Sequence, residues 1–414
     1  MTSVSLQSFG CRVNQAEAFD WAEEFQRRGF RLEPDAGRSD LVVVNTCTLT
    51  GRADRDVRKF LAKVGRENPG ARLVVTGCFS DRAPAELAGI PNLILVANAD
   101  KARLVGITLG PETGAAARPP VRFRSRGLLK VQDGCDSRCT FCVIPSVRGR
   151  SRSVPPREAG ERMEKLARQG FNEVVLTGIH LNSYGRDLQP ASSLLGLLRG
   201  MEGRIGRMRL RLSSLDPRGL GPELAEFLAC SPFVQPHFHL SLQHGSDRVL
   251  ARMGRKSTVD EYSRILDGLR RLAPEACLGA DIMSGFPGES EEDFRATADL
   301  IRRSPLNYVH VFSYSARPGT AASAWPAIDP ASVRRRTTLL RSLAAVKYIE
   351  FRRSFIGKTL DAVVIRTDGR RAELLTANDI KARTDDPGSL VPGDAARVVL
   401  EAVEERLARG RIAA

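Results

Sequence analysis

The sequence predicts an α/β protein made of an N-terminal open parallel α/β sheet, a central partial (β/α)6 barrel and a small C-terminal β-barrel. Short apolar strands alternate with amphipathic helices in the first hundred residues, and six further β/α repeats follow a segment rich in Gly, Ala and Pro. Strands that alternate with helices favour parallel sheets. A full β/α barrel has eight repeats, so six predict an open, partial barrel.

In the first alternation, cysteines follow three of the predicted strands. Cys11, Cys47 and Cys78 come directly after the first, second and third strand. Because the carboxyl ends of parallel strands share one edge of a sheet, these thiols are expected to converge. The alternative is three separately buried cysteines. The strands are predicted at VSLQSFG (4–10), LVVVNT (41–46), RLVVTG (72–77) and NLILVA (92–97), with helices over 15–29 and 54–68.

The second alternation begins after residues 106–120 (GITLGPETGAAARPP), whose composition and lack of periodicity indicate a linker. Chemistry is expected at the carboxyl ends of the barrel strands. The strands are predicted at 128–134, 173–178, 208–214, 237–243, 277–283 and 308–314, with helices near 156–169, 191–202, 219–229, 259–272 and 291–303.

The C-terminal region combines a long basic helix, predicted over 331–354, with short strands separated by the turn signals TDG, ND and VPGD. Such strands are typical of a small β-barrel of OB-like size, a fold that binds oligonucleotides. The expected domains are residues 1–108, 121–350 and 354–414.

Composition narrows the class of protein and its partners. The chain has 414 residues, a net charge of +15 and a pI of about 9.9, which favour a polyanionic partner such as nucleic acid. A genome biased toward Arg codons is the alternative explanation. No apolar run is long enough to span a bilayer, and the first residues do not resemble a signal peptide. We therefore expect a cytoplasmic protein whose eight cysteines are metal ligands or core residues.

The segment VQDGCDSRCTFCVIP (131–145) contains three closely spaced cysteines, Cys135, Cys139 and Cys142. A structural zinc site wants four ligands, whereas three thiolates on a four-iron cluster leave one iron open. CDSRCTFC, with Phe141 beside the last cysteine, resembles the CxxxCxΦC motif of the radical S-adenosylmethionine (SAM) superfamily. The resemblance implies a TIM-like radical SAM barrel in which the open iron binds SAM and an electron cleaves it to a 5′-deoxyadenosyl radical. A zinc knuckle is the alternative.

The same resemblance implies SAM contacts at other strand ends. Gly178 lies in LTGIHLNSYG, where the family contacts the methionine amino group, although the usual acidic residue is missing here. Ser213, Ser214 and Gln243 are the implied polar contacts to ribose and carboxylate, and DIMSGFPGE (281–289) resembles the stretch that packs on adenine. Ordinary turn and cap groups are the alternative.

Both cysteine sets together resemble the methylthiotransferase family. There the first trio holds a second [4Fe–4S] cluster that carries the sulfur to be inserted, and the C-terminal barrel is a TRAM domain that binds RNA or substrate. Replacing an unactivated C–H by C–S requires a radical and a poised sulfur, and methyl transfer uses a second SAM. The sequence offers no convincing acid–base dyad, and Cys230 and Cys277 are expected to be structural. The histidines His180, His237, His239 and His244 are interpreted as polar lining.

Arginines are expected to contact RNA phosphates without reading sequence. The alternative is a solvated basic surface. One group follows the second cysteine trio and surrounds the active-site mouth, and the other lies on the long basic helix. The residues are Arg148, Arg150 and Arg152, and Arg334, Arg335, Arg336, Arg341, Arg352 and Arg353.

The opening GCRVNQAEA (10–18) is similar to the branch that methylthiolates N6-threonylcarbamoyladenosine (t6A) beside the anticodon of transfer RNA. An Arg-rich mouth, with Arg150 as one candidate, suits the carboxylate of that base. The alternatives are isopentenyladenosine, an aspartate of a ribosomal protein, or a non-catalytic RNA-binding metalloprotein. The implied partners are the anticodon stem-loop and an electron donor such as flavodoxin or ferredoxin, with no membrane and a monomeric enzyme.

Overall fold

A computed structural model of the chain describes residues 2–111, 123–405 and 407–413. The chain forms two compact units. The first unit consists of Met1–Arg122, Asp133–Arg152 and Ser315–Ser323, and the second of Phe123–Gln132, Ser153–Tyr314 and Ala324–Ala414. The loop that carries Cys135, Cys139 and Cys142 therefore belongs to the same unit as Cys11, Cys47 and Cys78.

The first unit contains a five-stranded, fully parallel sheet in the order β2-β1-β3-β4-β5. This confirms the predicted open parallel sheet, with β2 as an additional short strand. The strands are β1 (Ser3–Ser8), β2 (Arg31–Leu32), β3 (Leu41–Thr46), β4 (Arg72–Gly77) and β5 (Leu93–Val96). The helices are α1 (Arg12–Arg27), α2 (Gly51–Glu67), α3 (Cys78–Arg82), α4 (Leu104–Leu109) and α5 (Ile144–Arg148).

Both faces of this sheet are buried, which explains the continuous apolar run LVVV in β3. Val43 and Val74 pack with Phe25 of α1 on one face. Val42 and Val44 pack with α2 on the other. Strands buried on both faces are characteristic of parallel sheets, and the polar functional groups are left at the strand ends.

The linker prediction for 106–120 is wrong at its beginning, because α4 continues to Leu109 and ends at Gly110 with a φ of +81°. Leu104 and Val105 are buried in the core, so packing extends the helix through a glycine-containing segment. Residues 112–120 of the predicted linker lie outside the described residues.

The second unit contains the predicted six parallel strands as two three-stranded sheets, β10-β9-β6 and β11-β12-β13. Single parallel bridges connect the two sheets: Leu210 in β10 pairs with Val234 before β11, and Leu215 after β10 pairs with Leu240 after β11. The strands of these sheets are β6 (Gly127–Lys130), β9 (Glu173–Thr177), β10 (Arg209–Leu212), β11 (His237–His239), β12 (Cys277–Ser284) and β13 (Tyr308–Ser313). Two short strands, β7 (Gln132–Asp133) and β8 (Arg152–Ser153), form a separate two-stranded sheet where the chain passes from one unit to the other. The helices are α6 (Pro156–Arg168), α7 (Leu194–Met201), α8 (Pro222–Cys230), α9 (Asp247–Arg252), α10 (Val259–Leu272) and α11 (Glu291–Arg303).

The predicted basic helix is α12 (Pro330–Arg353), and a closed barrel in the order β14-β15-β16-β18-β17 follows it. The expected small C-terminal β-barrel is therefore confirmed. Cys277 and Phe351 share its hydrophobic core, which confirms a structural role for Cys277. The barrel strands are β14 (Thr359–Thr367), β15 (Ala372–Thr376), β16 (Lys381–Thr384), β17 (Ala395–Val403) and β18 (Ala408–Ile412). Among the helices described, none has the length and apolar character needed to cross a membrane.

Candidate metal centre and cofactor site

Cys11, Cys47 and Cys78 follow β1, β3 and β4, which are neighbours in the sheet. Gly10 has a φ of +86°, and a Cβ built on it would lie 2.4 Å from the Sγ of Cys47. Only glycine accommodates both this backbone conformation and so close an approach. The loops that carry Cys11 and Cys47 therefore touch, as the strand order requires.

Asn14, in the first turns of α1, ties these loops together. Its Nδ2 donates to the carbonyl of Phe9 at 2.8 Å and to that of Thr46 at 2.9 Å. The Sγ of Cys11 lies 3.9 Å from its Oδ1. Because Thr46 precedes Cys47, one buried amide fixes the backbone beside two of the three thiols.

A buried ionic network lies beside the same three cysteines. The Nζ of Lys101 donates to Glu17 Oε2 at 2.7 Å and to Asn45 Oδ1 at 2.9 Å. Arg148, on α5, donates to Glu17 Oε1 at 3.1 Å and to Asp133 Oδ1 at 2.7 Å, and also contacts the Oδ1 of Asn14. The side chains of Lys101, Glu17 and Arg148 are 5%, 3% and 1% exposed. Charged groups this deeply buried require such pairing.

Burial and the neighbouring cations determine the pKa values of two of these thiols. Burial raises the pKa of Cys47 to about 12. Burial also raises the pKa of Cys78, although the positive charges of Arg148 and Lys101 partly oppose it. Thiolates are the metal-binding form, so metal binding here must displace protons, and the two nearby cations favour that displacement.

The segment after Cys47 is held by the buried carboxylate of Asp54, which contacts two arginines. Asp54 accepts from the Oγ1 of Thr48 at 2.6 Å and from Arg317 Nη1 at 2.7 Å, and Arg82 donates to it at 2.8 Å. Arg317 also donates to the carbonyl of Thr48 at 3.2 Å. These contacts fix the residue that follows Cys47.

The second trio lies on a compact loop of the same unit, and all three cysteines are partly exposed. The backbone N–H of Cys135 donates to Gly149 O at 3.1 Å, and that of Ser137 donates to Cys135 Sγ at 3.4 Å. Gly134 has a φ of +70°, and a Cβ there would lie 1.9 Å from Arg150 O. The loop therefore closes tightly just before the first ligand.

Each trio supplies three cysteine thiols, and three thiolates on a four-iron cluster leave one iron without a protein ligand. Three cysteine thiols, with buried cations beside the first set, suit such a cluster.

The strand ends of the second unit carry buried polar atoms without a hydrogen-bond partner among the described residues. These include Ser213 Oγ, after β10, and Gln243 Oε1, after β11. Gln243 has a φ of +88°, which a non-glycine residue rarely adopts. Strain and unsatisfied polar atoms of this kind concentrate at ligand sites. The two positions therefore fit a polar ligand such as SAM.

The remaining predicted SAM contacts differ in their surroundings. Gly178 packs closely on Gln132, because a Cβ there would lie 2.9 Å from Gln132 Oε1. This contact gives the glycine a packing role independent of any ligand. Ser214 is exposed, and Phe141 is partly buried.

Three of the predicted RNA contacts are wrong, because Arg148, Arg336 and Arg352 are buried. Arg148 belongs to the network described above, Arg336 donates to the carbonyl of Glu289 at 3.1 Å, and Arg352 donates to the carbonyls of Glu404 and Glu405. None of these three guanidinium groups can reach a phosphate on an RNA surface. The other six arginines of the predicted RNA-binding set are exposed, namely Arg150, Arg152, Arg334, Arg335, Arg341 and Arg353.

The structure also contains a histidine–carboxylate group that the sequence did not indicate. Asp281 accepts from His239 Nε2 and from His310 Nδ1, both at 3.0 Å, and from Ser241 Oγ at 2.8 Å. Burial raises the pKa of Asp281, but these contacts outweigh it and hold the pKa well below its usual range. The register of β12 and β13 pairs Asp281 with His310, so strand pairing creates the group.

The sequence reasoning missed Asn14, Glu17, Asn45 and Lys101. Asn14 and Glu17 lie in the quoted GCRVNQAEA, and Asn45 lies in the NTC of the first trio. The sequence signal that could have identified these three residues is a polar side chain where burial is expected, at the end of a buried strand or on the core-facing side of α1. Lys101 lies in a short 3-10 helix and has no comparable signal.

Comparisons with known proteins agree with this architecture. Residues 129–301 match the Radical SAM superfamily and residues 3–97 match Uncharacterized protein family UPF0004. The radical SAM methyltransferase TsrM from Kitasatospora setae has a similar fold, with a TM-score of 0.54 and 18% identity over 78% of this chain and 77% of that one.

Curated relatives match nearly the whole chain. Threonylcarbamoyladenosine tRNA methylthiotransferase MtaB of Thermotoga maritima is 34% identical, covering 86% of this chain and 85% of that protein. The protein of the same name from Aquifex aeolicus is 36% identical, covering 91% and 96%. The tRNA-2-methylthio-N(6)-dimethylallyladenosine synthase of a Parafrankia species is 32% identical, covering 89% and 79%. With two cysteine trios in one unit and relatives of this kind along most of its length, the chain belongs to the radical SAM tRNA methylthiotransferase family.

Proposed function

We propose that this enzyme converts N6-threonylcarbamoyladenosine beside the anticodon of transfer RNA to its 2-methylthio derivative. The observation that carries the proposal is the meeting of Cys11, Cys47 and Cys78 in the unit that also carries the CDSRCTFC loop. The relatives from Thermotoga maritima and Aquifex aeolicus, which are named for this reaction, support the choice of base. The Parafrankia relative supports a dimethylallyl substrate as the second candidate.

Each trio holds one [4Fe–4S] cluster through three thiolates. Cys135, Cys139 and Cys142 hold the cluster to which SAM binds, and Cys11, Cys47 and Cys78 hold the sulfur-carrying cluster. When bound, the clusters and SAM supply the electron, the hydrogen-abstracting radical and the sulfur. The burial of Cys47 and Cys78 keeps water from the site of the sulfur-carrying cluster.

The second unit orients SAM. The unsatisfied Oγ of Ser213 and Oε1 of Gln243 are its polar contacts, since a ligand that bonds them removes the cost of leaving buried polar atoms unpaired. Ser214 and Gly178 complete the proposed contacts of this unit, and Phe141 is the proposed cofactor contact on the loop of the second trio.

Residues 1–108 bind the sulfur-carrying cluster, residues 121–350 form the radical SAM core, and residues 354–414 bind RNA. The six exposed arginines of the predicted set contact phosphates. An open cleft of about 870 Å³ at the amino ends of the barrel strands adds Arg207, Arg209 and Arg397 beside the C-terminal β-barrel. The enzyme acts in the cytoplasm as a monomer, and a flavodoxin- or ferredoxin-type protein donates the electron.

The test gives anaerobically reconstituted enzyme two hypomodified transfer RNAs, one with t6A and one with isopentenyladenosine. We expect nucleoside mass spectrometry to find a methylthio product only from the t6A form, and about eight irons per chain. Preference for the isopentenyl form, or modification of a ribosomal protein instead, would overturn the substrate. A colourless protein with bound zinc would overturn the reaction. The Cys135→Ala variant is the control for radical-dependent product.

A further inference from the structure

The histidine–carboxylate group of Asp281 lies on one face of the β11-β12-β13 sheet. One oxygen of Asp281 accepts from His239 and Ser241, and the other accepts from His310 Nδ1 at 3.0 Å. Asp281 and His310 are direct partners in the strand register. Because side chains alternate between the two faces of a strand, this polar group occupies the face opposite to the adjacent apolar residues. Those adjacent residues are buried, namely Ala280, Ile282, Val309 and Val311.

The group lies beside one of the proposed SAM contacts. The backbone N–H of Gln243 donates to the carbonyl of Asp281 at 2.9 Å, and that of Met283 donates to the carbonyl of Gln243 at 2.7 Å. The segment with Gln243 therefore lies next to β12, and β13 with His310 lies on the other side of β12. Two strand spacings, about 10 Å, separate His310 from Gln243. A substrate base beside the cofactor can reach His310 across this distance.

His310 offers an exposed hydrogen-bond donor. An ionised carboxylate only accepts, so Nδ1 of His310 donates to Asp281 and Nε2 is the remaining ring nitrogen. No residue within the ranges that the structure describes forms a hydrogen bond with Nε2, and the side chain is 58% exposed. The hydrogen bond to Asp281 raises the pKa of His310, whereas burial and the positive charge of Arg341 partly oppose the increase. The exposed nitrogen therefore carries a proton at neutral pH to a greater extent than in an ordinary histidine.

The surroundings of His310 fit an anionic ligand with an aromatic part. The negative charge of Asp281 is already bound by three donors, and Arg341 on α12 adds a second positive charge near His310. Phe312, two residues further along β13, has its ring centroid 5.6 Å from that of His310. Aromatic side chains stack on nucleobases, and a cationic N–H binds a carboxylate through a charge-assisted hydrogen bond. The two side chains together suit a base that carries a carboxylate.

We propose that Nε2 of His310 binds the carboxylate that the substrate base carries on its threonylcarbamoyl group. The inference rests on the proposed function, because only the t6A substrate brings that carboxylate. The dimethylallyl group of the second candidate has no charge for an imidazolium to bind. Asp281 holds the ring through Nδ1, so the binding nitrogen lies on the far side of the ring. We assign this role to His310 rather than to Arg150, for which only the basic composition of its segment argues.

The experiment measures the affinity of reconstituted holoenzyme for three anticodon stem-loop RNAs by fluorescence anisotropy at one fixed salt concentration. The RNAs differ only in the base beside the anticodon, which is t6A, the methyl ester of t6A or isopentenyladenosine. The ester removes the negative charge and keeps the rest of the group. The variant His310→Gln still has a donor for Asp281 but carries no charge. The matched control is Arg264→Gln, because Arg264 is an exposed cation of the same unit that pairs with Asp260. Iron is counted in every sample.

We expect wild type and Arg264→Gln to bind the t6A stem-loop about tenfold or more tightly than the ester, the effect of one hydrogen bond between charged groups. In His310→Gln this preference should disappear, while the affinities for the ester and isopentenyl RNAs stay those of wild type. A preference that persists in His310→Gln with full iron would overturn the inference, as would a wild-type enzyme that binds acid and ester equally. If His310→Gln loses iron, His310→Lys replaces it and should keep the preference through its charge; loss of the preference there would overturn the inference.

The two proposals fail differently. A wild-type enzyme that methylthiolates the t6A stem-loop, while His310→Gln still prefers the acid to the ester, overturns the role of His310 alone. A wild-type enzyme that forms a methylthio product from the isopentenyl RNA and none from the t6A RNA overturns the proposed function, and the role of His310 with it.

Discussion

Gly77 offers a direct test of how the sheet assembles the first cysteine trio. It is the last residue of β4, directly before Cys78, and has a φ of +111° and a ψ of −171°. A Cβ at this position would lie 2.4 Å from the carbonyl oxygen and 2.5 Å from the nitrogen of Thr46. Thr46 is fully buried and precedes Cys47. The substitution Gly77→Ala must therefore push apart two of the cysteine-bearing strand ends.

The magnitude follows from two separate costs. This backbone conformation is nearly exclusive to glycine, and forcing another residue into it costs about 1–3 kcal/mol. Overpacking against a buried backbone costs about 1–3 kcal/mol more. The sum, roughly 2–6 kcal/mol, is a large fraction of the stability of a typical domain. The strain acts beside Cys47 and Cys78, so the geometry of their cluster should fail first.

The matched control is Gly65→Ala. Gly65 lies within α2, and no heavy atom lies within 4 Å of a Cβ built there. Alanine should stabilise this helix by about 1 kcal/mol. Both variants are compared with wild type by thermal unfolding, iron content and 5′-deoxyadenosine formation. Gly77→Ala should lose roughly half of its iron, the share of one cubane in two, and still cleave SAM. Full iron and an unchanged melting temperature in Gly77→Ala would refute the steric argument.

Three further predictions concern the clusters, pH and RNA. Cys47→Ala should still form 5′-deoxyadenosine but yield no methylthio product by mass spectrometry; product at the normal rate would contradict a sulfur-carrying role. Burial lowers the pKa of His237 from 6.5 to about 4, so stability should be full above pH 6.5 and fall by on the order of 3 kcal/mol as pH drops to 4. Urea unfolding of His237→Gln should show a flatter pH dependence, and an unchanged slope would count against this. Arg353→Gln should weaken transfer RNA binding and reduce its salt slope by about one without changing stability, whereas Arg352→Gln should lower the melting temperature; equal effects of the two on RNA would contradict the burial argument.

The sequence was sufficient to predict where the first trio meets. Cys11, Cys47 and Cys78 each follow a strand, and parallel sheets bring such positions to one edge. The prediction needed only the strands and their direction. Because β1, β3 and β4 are also direct neighbours in the sheet, the three cysteines lie closer together than a shared sheet edge alone would require.

The features that the sequence did not predict arise from contacts between residues that are far apart along the chain. Arg148 and Arg150 belong to one basic segment, and nothing local distinguishes the buried residue from the exposed one. Arg148 is buried because the loop of the second trio folds into the first unit, a tertiary contact that periodicity does not encode. Asp281 and His310 are far apart in sequence and meet only through the register of β12 and β13.

Arg148 gives the two cysteine trios a shared support. It follows Cys142 closely in sequence, and its guanidinium contacts Asn14 and Glu17 on the helix that begins after Cys11. Within this unit, a movement of the second loop must change the buried charge beside the first trio, because the ion pairs are short and enclosed. Sulfur insertion requires a radical and a sulfur nucleophile in the same turnover. A single buried arginine that contacts α1 and lies on the loop of the second trio provides a physical route by which the state of one cluster can affect the other.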